Sequence, residues 1–245
     1  VNRSFSIFYW LMPKIDVCLT PELLPLFKLD DKIVVVIDIL RATSCMVTGF
    51  AHGISEIKPV ATLEESATYG LMGYITAAER NGLKMEGFDL DNSPFSYMDP
   101  VLYGKKICVT TTNGTKAILQ SAHAKKVIIG SFLNLKTVAD YLFIRGLDVV
   151  LLCAGWKGQV NAEDTLFAGA LVSHLKESFA VGNDSALMAR DLFELQKGRM
   201  LDFLRESSHF QRLNRLNIHK DIEFCLQNSI YECLPRLEKN VILAH

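Results

Sequence analysis

Short apolar runs of strand length alternate with helical patterns along most of this chain. The clearest run is Ile33–Ile37, which is β-branched throughout and ends at Asp38, a pattern typical of a fully buried strand. Further strands are predicted at 57–60, 72–77, 106–110, 126–129 and 148–153. Helices are predicted at 41–53, from Thr62, from about Thr115, at 138–145, at 163–178 and over most of the chain beyond Asp184. Strands that alternate with helices indicate a largely parallel sheet covered on both faces, so we expect a three-layer α/β/α fold with a mostly parallel or mixed sheet.

The chain has 245 residues, and no linker rich in proline, glycine or serine divides it. We therefore expect a single α/β domain over 12–245. Residues 1–11 are interpreted as an extension outside that domain. Their apolar stretch follows Arg3 but is too short to span a bilayer, and no small-residue cleavage site follows it. That pattern favours an upstream extension over an export signal.

Charge and cysteine usage exclude several classes of protein. The 26 Lys and Arg residues against 27 Asp and Glu residues give a net charge of −1. A bulk electrostatic grip on nucleic acid or on an anionic membrane is therefore not expected. The six cysteines have no CxxC spacing, which indicates a reduced, cytoplasmic protein without a disulfide framework. The histidines form no metal-ligand spacing, and only His209 is a candidate to reach a site, although a lone histidine is more often structural.

The first candidate loop follows the strand at 33–37. Ligands of open α/β sheets bind outside the carboxyl ends of the strands, and there Asp38 is followed by Arg41, Thr43 and Ser44. The carboxylate suits Mg²⁺, and the arginine can grip a phosphate or sulfonate with paired donors. The alternative is that Asp38 caps the next helix and that Arg41 forms a surface ion pair.

Two further loops carry groups suited to anions. In the first, Glu79 is a candidate second metal ligand and Arg80 a second anion clamp, and Asn81 follows them. Asp89 and Asp91, further along, are interpreted as solvated or structural. In the second, loop 111–115 offers hydroxyls, an amide and a glycine at the start of a helix, which can form an anion cradle. A hydroxyl-rich helix cap is the alternative, since no Walker A or GxGxxG pattern is present.

The fourth loop follows the strand at 148–153. It opens with Gly155, and the next helix begins with Glu163 and Asp164, either of which can complete a carboxylate metal site. Acidic residues are also favoured at helix starts by the macrodipole, which is the plainer explanation. Cys153 is interpreted as a core residue at the strand end, because no C-x₅-R cradle follows it.

Taken together, these loops resemble the 2-phosphosulfolactate phosphatase family. The matching motifs run in order between about 12 and 243: D-I-L-R-A-T-S at 38–44, E-R-N-G at 79–82, G-F-D at 87–89 with N-S-P at 92–94, T-T-N-G-T at 111–115, G-S-F at 130–132 with Asn134, and C-A-G at 153–155. Ala78 and Asp91 stand where the family usually has glycine. These departures bear on substrate specificity more than on the reaction class.

The resemblance implies a Mg²⁺-dependent phosphatase that converts 2-phospho-3-sulfolactate to 3-sulfolactate and phosphate, a step towards coenzyme M. The partner would be a small polyanionic phosphate ester. The expected catalytic residues are Asp38, Arg41, Glu79 and Arg80, and the expected Mg²⁺ ligands are Asp38, Glu79 and Asp164. The expected substrate-binding residues are Thr43, Ser44, Asn81, Thr111, Thr112, Asn113, Gly114, Thr115 and Gly155.

Several alternatives stay open from the sequence. A carboxylate either activates water or attacks phosphorus directly. The substrate can be another small phosphorylated hydroxy acid, and a non-catalytic anion-binding module is the alternative outside enzymes. The Leu-rich helices near the C-terminus suit either a core or the interface of a homo-oligomer.

Overall fold

The computed structural model describes residues 12–216 and 218–244, so the extension predicted at 1–11 lies outside the described residues. Within them, eleven strands form one sheet. The strands are β1 (Lys14–Cys18), β2 (Ile33–Ile37), β3 (Glu56–Pro59), β4 (Ile75–Arg80), β5 (Leu83–Lys84), β6 (Lys106–Thr110), β7 (Lys126–Gly130), β8 (Val149–Cys153), β9 (Ala180–Val181), β10 (Pro235–Glu238) and β11 (Val241–Ala244).

Helices follow most of the strands, as the alternating pattern predicted. The α-helices are α1 (Ala42–Ala51), α2 (Leu63–Leu71), α3 (Gly114–Gln120), α4 (Leu135–Arg145), α5 (Ala162–His174), α6 (Asp184–Gln196), α7 (Met200–Arg205), α8 (Ser208–Asn214) and α9 (His219–Cys225). Short 3-10 helices lie at Pro21–Leu26, Pro94–Met98, Pro100–Leu102 and Phe132–Asn134. The three-layer α/β fold is thereby confirmed. Its sheet is mixed, and most of its strand pairings are parallel.

The sheet consists of two parallel blocks. Its strand order is β5-β4-β6-β3-β11-β10-β7-β2-β8-β1-β9. Strands β7, β2, β8, β1 and β9 pair in parallel, and so do β4, β6 and β3. The antiparallel hairpin β10–β11 joins the blocks. Strand β10 also pairs antiparallel with β7, and β11 pairs antiparallel with β3. Three successive antiparallel pairings mean that the two blocks run in opposite directions along the sheet.

Helices cover much of the chain beyond Asp184, as predicted, but the hairpin that ends it was not predicted. Helices end at Cys225, and the chain then returns as β10 and β11 in the middle of the sheet. These strands are short and only partly buried, so they lack the continuous apolar run that marks β2. The strand β1, which forms the parallel neighbour of β8, was not predicted either.

Strand β2 lies at the centre of its block and positions the first candidate loop. All five of its residues are buried, and each pairs with both β7 and β8. Branched side chains suit such a pleated, two-sided environment. Helix α5 covers this block and packs closely on α6, because a Cβ at Gly169 would lie only 2.0 Å from the carbonyl oxygen of Ala189. Asp38 directly follows this rigid, fully buried strand, which fixes its position.

Among the described residues, no helix combines the length and the apolar character needed to cross a membrane.

Candidate active site

Loops from both parallel blocks meet at one small pocket, and helix α8 covers it. Five pairings separate β2 from β6, and a twist of roughly 20° per pairing turns the blocks by about 100° relative to each other. That rotation explains how strands of opposite direction bring their loops together. The pocket is lined by Asp38, Leu40, Arg41, Glu79, Gly82, Asn92, Asn113, Trp156, His209, Arg212 and Leu213.

The loop after β2 is held by its own hydroxyl side chains. The N–H of Asp38 donates to Oγ1 of Thr43 at 3.1 Å, and the N–H of Thr43 donates to the carbonyl of Asp38 at 2.9 Å. Oγ of Ser44 donates to the carbonyl of Ile39 at 2.8 Å. Thr43 and Ser44 are completely buried. The structure therefore gives both residues a part in shaping the loop, and substrate contact by them stays a prediction.

Asp38 is buried among other acidic side chains. Burial is the main reason that its pKa rises to about 7; the positive charge of His209 opposes the increase, and the negative charges of Glu79 and Glu163 add to it. The N–H of Ala42 at the start of α1 also favours the charged form. Burial together with these neighbouring carboxylates therefore favours the neutral form of Asp38.

Asp164 ties the loops of β2 and β8 together. Its Oδ1 accepts the N–H of Ile39 at 2.9 Å, and its Oδ2 accepts the N–H of Gly155 at 3.2 Å and Nδ2 of Asn161 at 2.9 Å. Burial, followed by the charge of Asp38, raises the pKa of Asp164 above its usual range, although the hydrogen bonds act in the opposite direction. Its oxygens are thus occupied by N–H donors, and ligation of a metal by Asp164 stays a prediction.

Gly155 allows the loop after β8 to close on itself. Its φ is +60°, and a Cβ there would lie 2.4 Å from the carbonyl oxygen of Gln159. A side chain would therefore force this loop open. The N–H of Gly155 donates a hydrogen bond to Asp164. The glycine therefore acts by shaping the wall of the pocket.

Glu163, next to Asp164, has a different environment. It is completely buried, and its Oε1 is hydrogen-bonded to Nδ1 of His209, whereas no group of the described residues bonds its Oε2. The ring of His209 stacks on Trp156 with centroids 5.4 Å apart and an interplanar angle of 18°. On the same side chain of Trp156 lies the guanidinium of Arg212, with Cζ 3.6 Å from the ring centroid.

Arg41 links three parts of the pocket wall. The side chain is 4% exposed, and its Nη1 forms an ion pair with Oδ2 of Asp221 in helix α9. Its Nη2 donates to the carbonyl of Gly82 at 3.2 Å. The expectation of a surface ion pair is wrong, because the pair is buried. If Arg41 binds an anion, it has to do so while its guanidinium remains paired with Asp221.

Glu79 lies in β4, one residue before the strand ends. Its Oε1 accepts the N–H of Gly82, and the side chain is buried in the pocket. Asn81 has a φ of +57° at the tip of the turn that follows β4 and is exposed, outside the pocket lining. The end of β4 therefore brings Glu79 to the pocket of Asp38, and Asn81 provides the left-handed conformation that asparagine tolerates.

Arg80 points to a second cavity. Its Nη1 donates to the carbonyl of Glu79 at 2.7 Å, and its Nη2 donates to Oγ1 of Thr110 at 3.1 Å. The cavity beside it has a volume of about 430 Å³ and is lined in part by Thr111, Thr112 and Thr115. The structure thus divides the expected anion-binding groups between two cavities.

The loop at 111–115 forms mostly its own cap. Thr111 and Thr115 exchange N–H to Oγ1 hydrogen bonds at 3.1 and 3.2 Å. Asn113 lines the pocket of Asp38, and Gly114 packs directly on it, since a Cβ at Gly114 would lie 2.8 Å from Oδ2 of Asp38. The capping alternative therefore describes the two threonines, and the contact with the pocket comes from Asn113 and Gly114.

The carboxylates further along the chain have structural partners, as expected. Oδ2 of Asp89 accepts the N–H and the hydroxyl of Thr76 at 2.8 and 2.9 Å. Oδ1 of Asp91 accepts the N–H of Ser93 at 3.0 Å, so this departure from the family pattern is a turn cap.

Sequence reasoning missed Trp156, Arg212 and Asp221, and it preferred Asp164 to Glu163 as a metal ligand. One signal was available: His209 and Arg212 are three residues apart, which places them on the same face of a helix. Within 12–216 and 218–244, no group of three His, Cys, Asp or Glu side chains is arranged to hold a metal ion. All six cysteines are free thiols, and Cys153 is buried as expected.

Comparison with known proteins gives a consistent result. Residues 18–240 match the family model described as 2-phosphosulpholactate phosphatase. A protein of Thermotoga petrophila named probable 2-phosphosulfolactate phosphatase is 38% identical over 219 residues, which are 89% of this chain and 95% of that protein. Proteins with the same name from Clostridium tetani and Gloeothece citriformis are 34% and 38% identical over 93% and 91% of this chain, and over 99% and 95% of their own lengths. The matched region contains every loop that lines the pocket.

Proposed function

Because the chain belongs to the 2-phosphosulfolactate phosphatase family, a family of phosphoric monoester hydrolases, we propose that it hydrolyses 2-phospho-3-sulfolactate to 3-sulfolactate and phosphate. The observation that carries the proposal is the buried carboxylate of Asp38, which lies at the end of a central strand among further acidic and basic groups. The 3-sulfolactate released would serve a step towards coenzyme M.

The reacting phosphate belongs next to Asp38. Helix α1 begins directly after this loop, and the dipole at the N-terminus of a helix attracts an oxyanion. Gly114 lets the backbone of loop 111–115 approach the same point closely. Arg41, held in place by Asp221, adds a buried positive charge beside it. The phosphate is thereby oriented by rigid groups, which is the main requirement of phosphoryl transfer.

The acidic groups of the pocket fit a bound Mg²⁺. Oε2 of Glu163 is buried without a partner among the described residues, and the charges of Glu79 and Glu163 add to the effect of burial in raising the pKa of Asp38. Magnesium is commonly held by one or two carboxylates together with substrate phosphate oxygens, so a cage of three protein ligands is not required. Two of Asp38, Glu79 and Glu163 would hold it, with Asp164 as the alternative to Glu163. When bound, the ion would polarise the phosphoryl oxygens and neutralise charge that develops in the transition state.

The substrate has to displace groups that now cover the pocket. Its free volume is about 20 Å³, which is on the order of one water molecule. His209, Arg212 and Leu213 all come from helix α8 and lie over the loops of the sheet. Binding would therefore involve a shift of α8, followed by closure that excludes water from the reacting phosphate.

A phosphate-release assay tests the proposed function. The wild-type protein is incubated with 2-phospho-3-sulfolactate, 2-phospholactate, 3-phosphoglycerate and p-nitrophenyl phosphate, with Mg²⁺ and with EDTA. We expect Mg²⁺-dependent release with the highest kcat/KM for 2-phospho-3-sulfolactate. Asp38→Asn should abolish it, and Asp31→Asn, at an exposed position, should not. Preference for another phosphate ester, or full activity of Asp38→Asn, would contradict the proposal.

A further inference from the structure

Arg212 has an environment that is unusual for an arginine. Its Nε and Nη1 are buried, and neither has a hydrogen-bond partner in the part of the chain that the structure describes. Buried charged donors without partners are costly. A ligand with acceptor oxygens can provide the missing partners.

The other arginines of this region are already bonded. Arg41 is paired with Asp221, and Arg80 is bonded to Thr110. Arg212 lies against the ring of Trp156, with its Cζ 3.6 Å from the ring centroid. Burial lowers the pKa of the guanidinium, the charges of Glu79 and Glu163 act in the opposite direction, and the charge of Arg41 lowers it further. The side chain is thus a positioned cation with free donors, and it lines the pocket of Asp38.

We propose that Arg212 binds the sulfonate of the substrate and thereby determines specificity. This inference rests on the proposed function. The phosphate is bound by groups at the carboxyl end of β2, namely Asp38 and the start of α1. Arg212 comes instead from α8, which lies over that end of the strand. It therefore reaches the part of the substrate that projects away from the sheet. In 2-phospho-3-sulfolactate the sulfonate is on the carbon next to the one that carries the phosphate.

The chemistry of the two groups also matches. A sulfonate offers three acceptor oxygens, and a guanidinium offers several donors in one plane. A guanidinium is less strongly hydrated than an ammonium group, so it can be stacked on an indole and still bind an anion. Gly82 packs beside the guanidinium, since a Cβ there would lie 3.6 Å from Nη1 of Arg212 and 2.7 Å from Cδ1 of Leu216.

Binding of the two products tests the inference without requiring turnover. The full-length protein with Mg²⁺ is titrated by calorimetry with 3-sulfolactate and, separately, with inorganic phosphate. Arg212→Gln should weaken 3-sulfolactate binding on the order of 30-fold, the equivalent of one charge-assisted hydrogen bond. The same variant should change phosphate binding by less than about threefold. Arg212→Lys should fall between the wild type and Arg212→Gln, because it keeps the charge but loses the planar donors.

Arg215→Gln is the matched control, because Arg215 is exposed at the end of the same helix. It should bind both products like the wild type. Unchanged binding of 3-sulfolactate by a folded Arg212→Gln would overturn the inference, and so would equal weakening for both products, which would place the phosphate at Arg212. Circular dichroism and the Tm verify folding. Failure of the proposed function is distinguishable, because it would appear in the wild type as absent phosphate release from 2-phospho-3-sulfolactate.

Discussion

Glu163 and His209 form a buried pair that connects helix α5 to helix α8. Nδ1 of His209 is bonded to Oε1 of Glu163, and both side chains are almost completely buried, at 7% and 0% exposure. Because α5 covers the sheet and α8 covers the pocket, this contact fixes the cover over the candidate active site. It also holds one oxygen of the carboxylate, and the other has no hydrogen-bond partner among the described residues.

The first prediction concerns the stability of this pair. His209→Ala should lower the free energy of unfolding by about 3 kcal/mol, because it leaves the carboxylate of Glu163 buried without a partner. Glu163→Gln combined with His209→Ala should recover part of that loss, since the neutral amide is less costly to bury. Urea unfolding of the two single variants and the double variant measures the coupling. A cost below about 1 kcal/mol for His209→Ala would show that the pair does not hold the cover.

The second prediction concerns pH. The pKa of Asp38 is about 7 in the folded protein, against 3.8 ordinarily. The folded protein therefore binds more protons than the unfolded chain between pH 4 and pH 7, and its stability should fall as the pH rises through that window. The raised pKa of Asp164 acts in the same direction.

Asp38→Asn removes the contribution of Asp38. We compare the free energy of unfolding of this variant with that of the wild type in EDTA. The difference, variant minus wild type, should be larger at pH 8 than at pH 4 by about 1 kcal/mol or more. Urea unfolding at both pH values is the measurement, with Asp31→Asn as the exposed control. Profiles that run parallel for wild type and Asp38→Asn would contradict the prediction.

The third prediction concerns the approach of loop 111–115 to Asp38. A Cβ at Gly114 would lie 2.8 Å from Oδ2 of Asp38 and 2.8 Å from Cβ of Ala42. Gly114→Ala should therefore displace the carboxylate and lower kcat on the order of 100-fold, as misplacement by about 1 Å commonly does. Gly198→Ala, where a Cβ meets nothing within 4 Å, should leave kcat unchanged. If a folded Gly114→Ala variant kept the wild-type kcat, the reaction would not depend on the position of the Asp38 carboxylate that Gly114 allows.

Much of the fold could be predicted because its central strands carry a strong local signal. The run of β2 is branched and apolar throughout, and the rule that ligands bind at strand ends then selects Asp38. The hairpin β10–β11 has no comparable signal, because its place in the sheet depends on a few distant pairings. Arg236 and Leu237 pair with β7, and Ile242 pairs with Ile57.

The site could be predicted in part for the same reason. Residues at strand ends, such as Glu79 in β4 and Asp38 directly after β2, are placed by the sheet itself. His209 and Arg212 instead reach the pocket because Phe210 and Leu213 of the same helix are buried in the core. A sequence pattern identifies which residues of such a helix are apolar, but not the surface against which they pack.

The fourth prediction uses Trp156, which lies between the loops of the sheet and helix α8. Its ring stacks on His209 and contacts Arg212, so a ligand that displaces either side chain changes the surroundings of the indole. Titration with 3-sulfolactate in the presence of Mg²⁺ should therefore alter the tryptophan fluorescence with a saturable dependence on concentration. Trp156 is one of two tryptophans, so its substitution identifies the part of the signal that it contributes. Trp156→Phe should lose the response, whereas an unchanged response in Trp156→Phe would contradict the prediction.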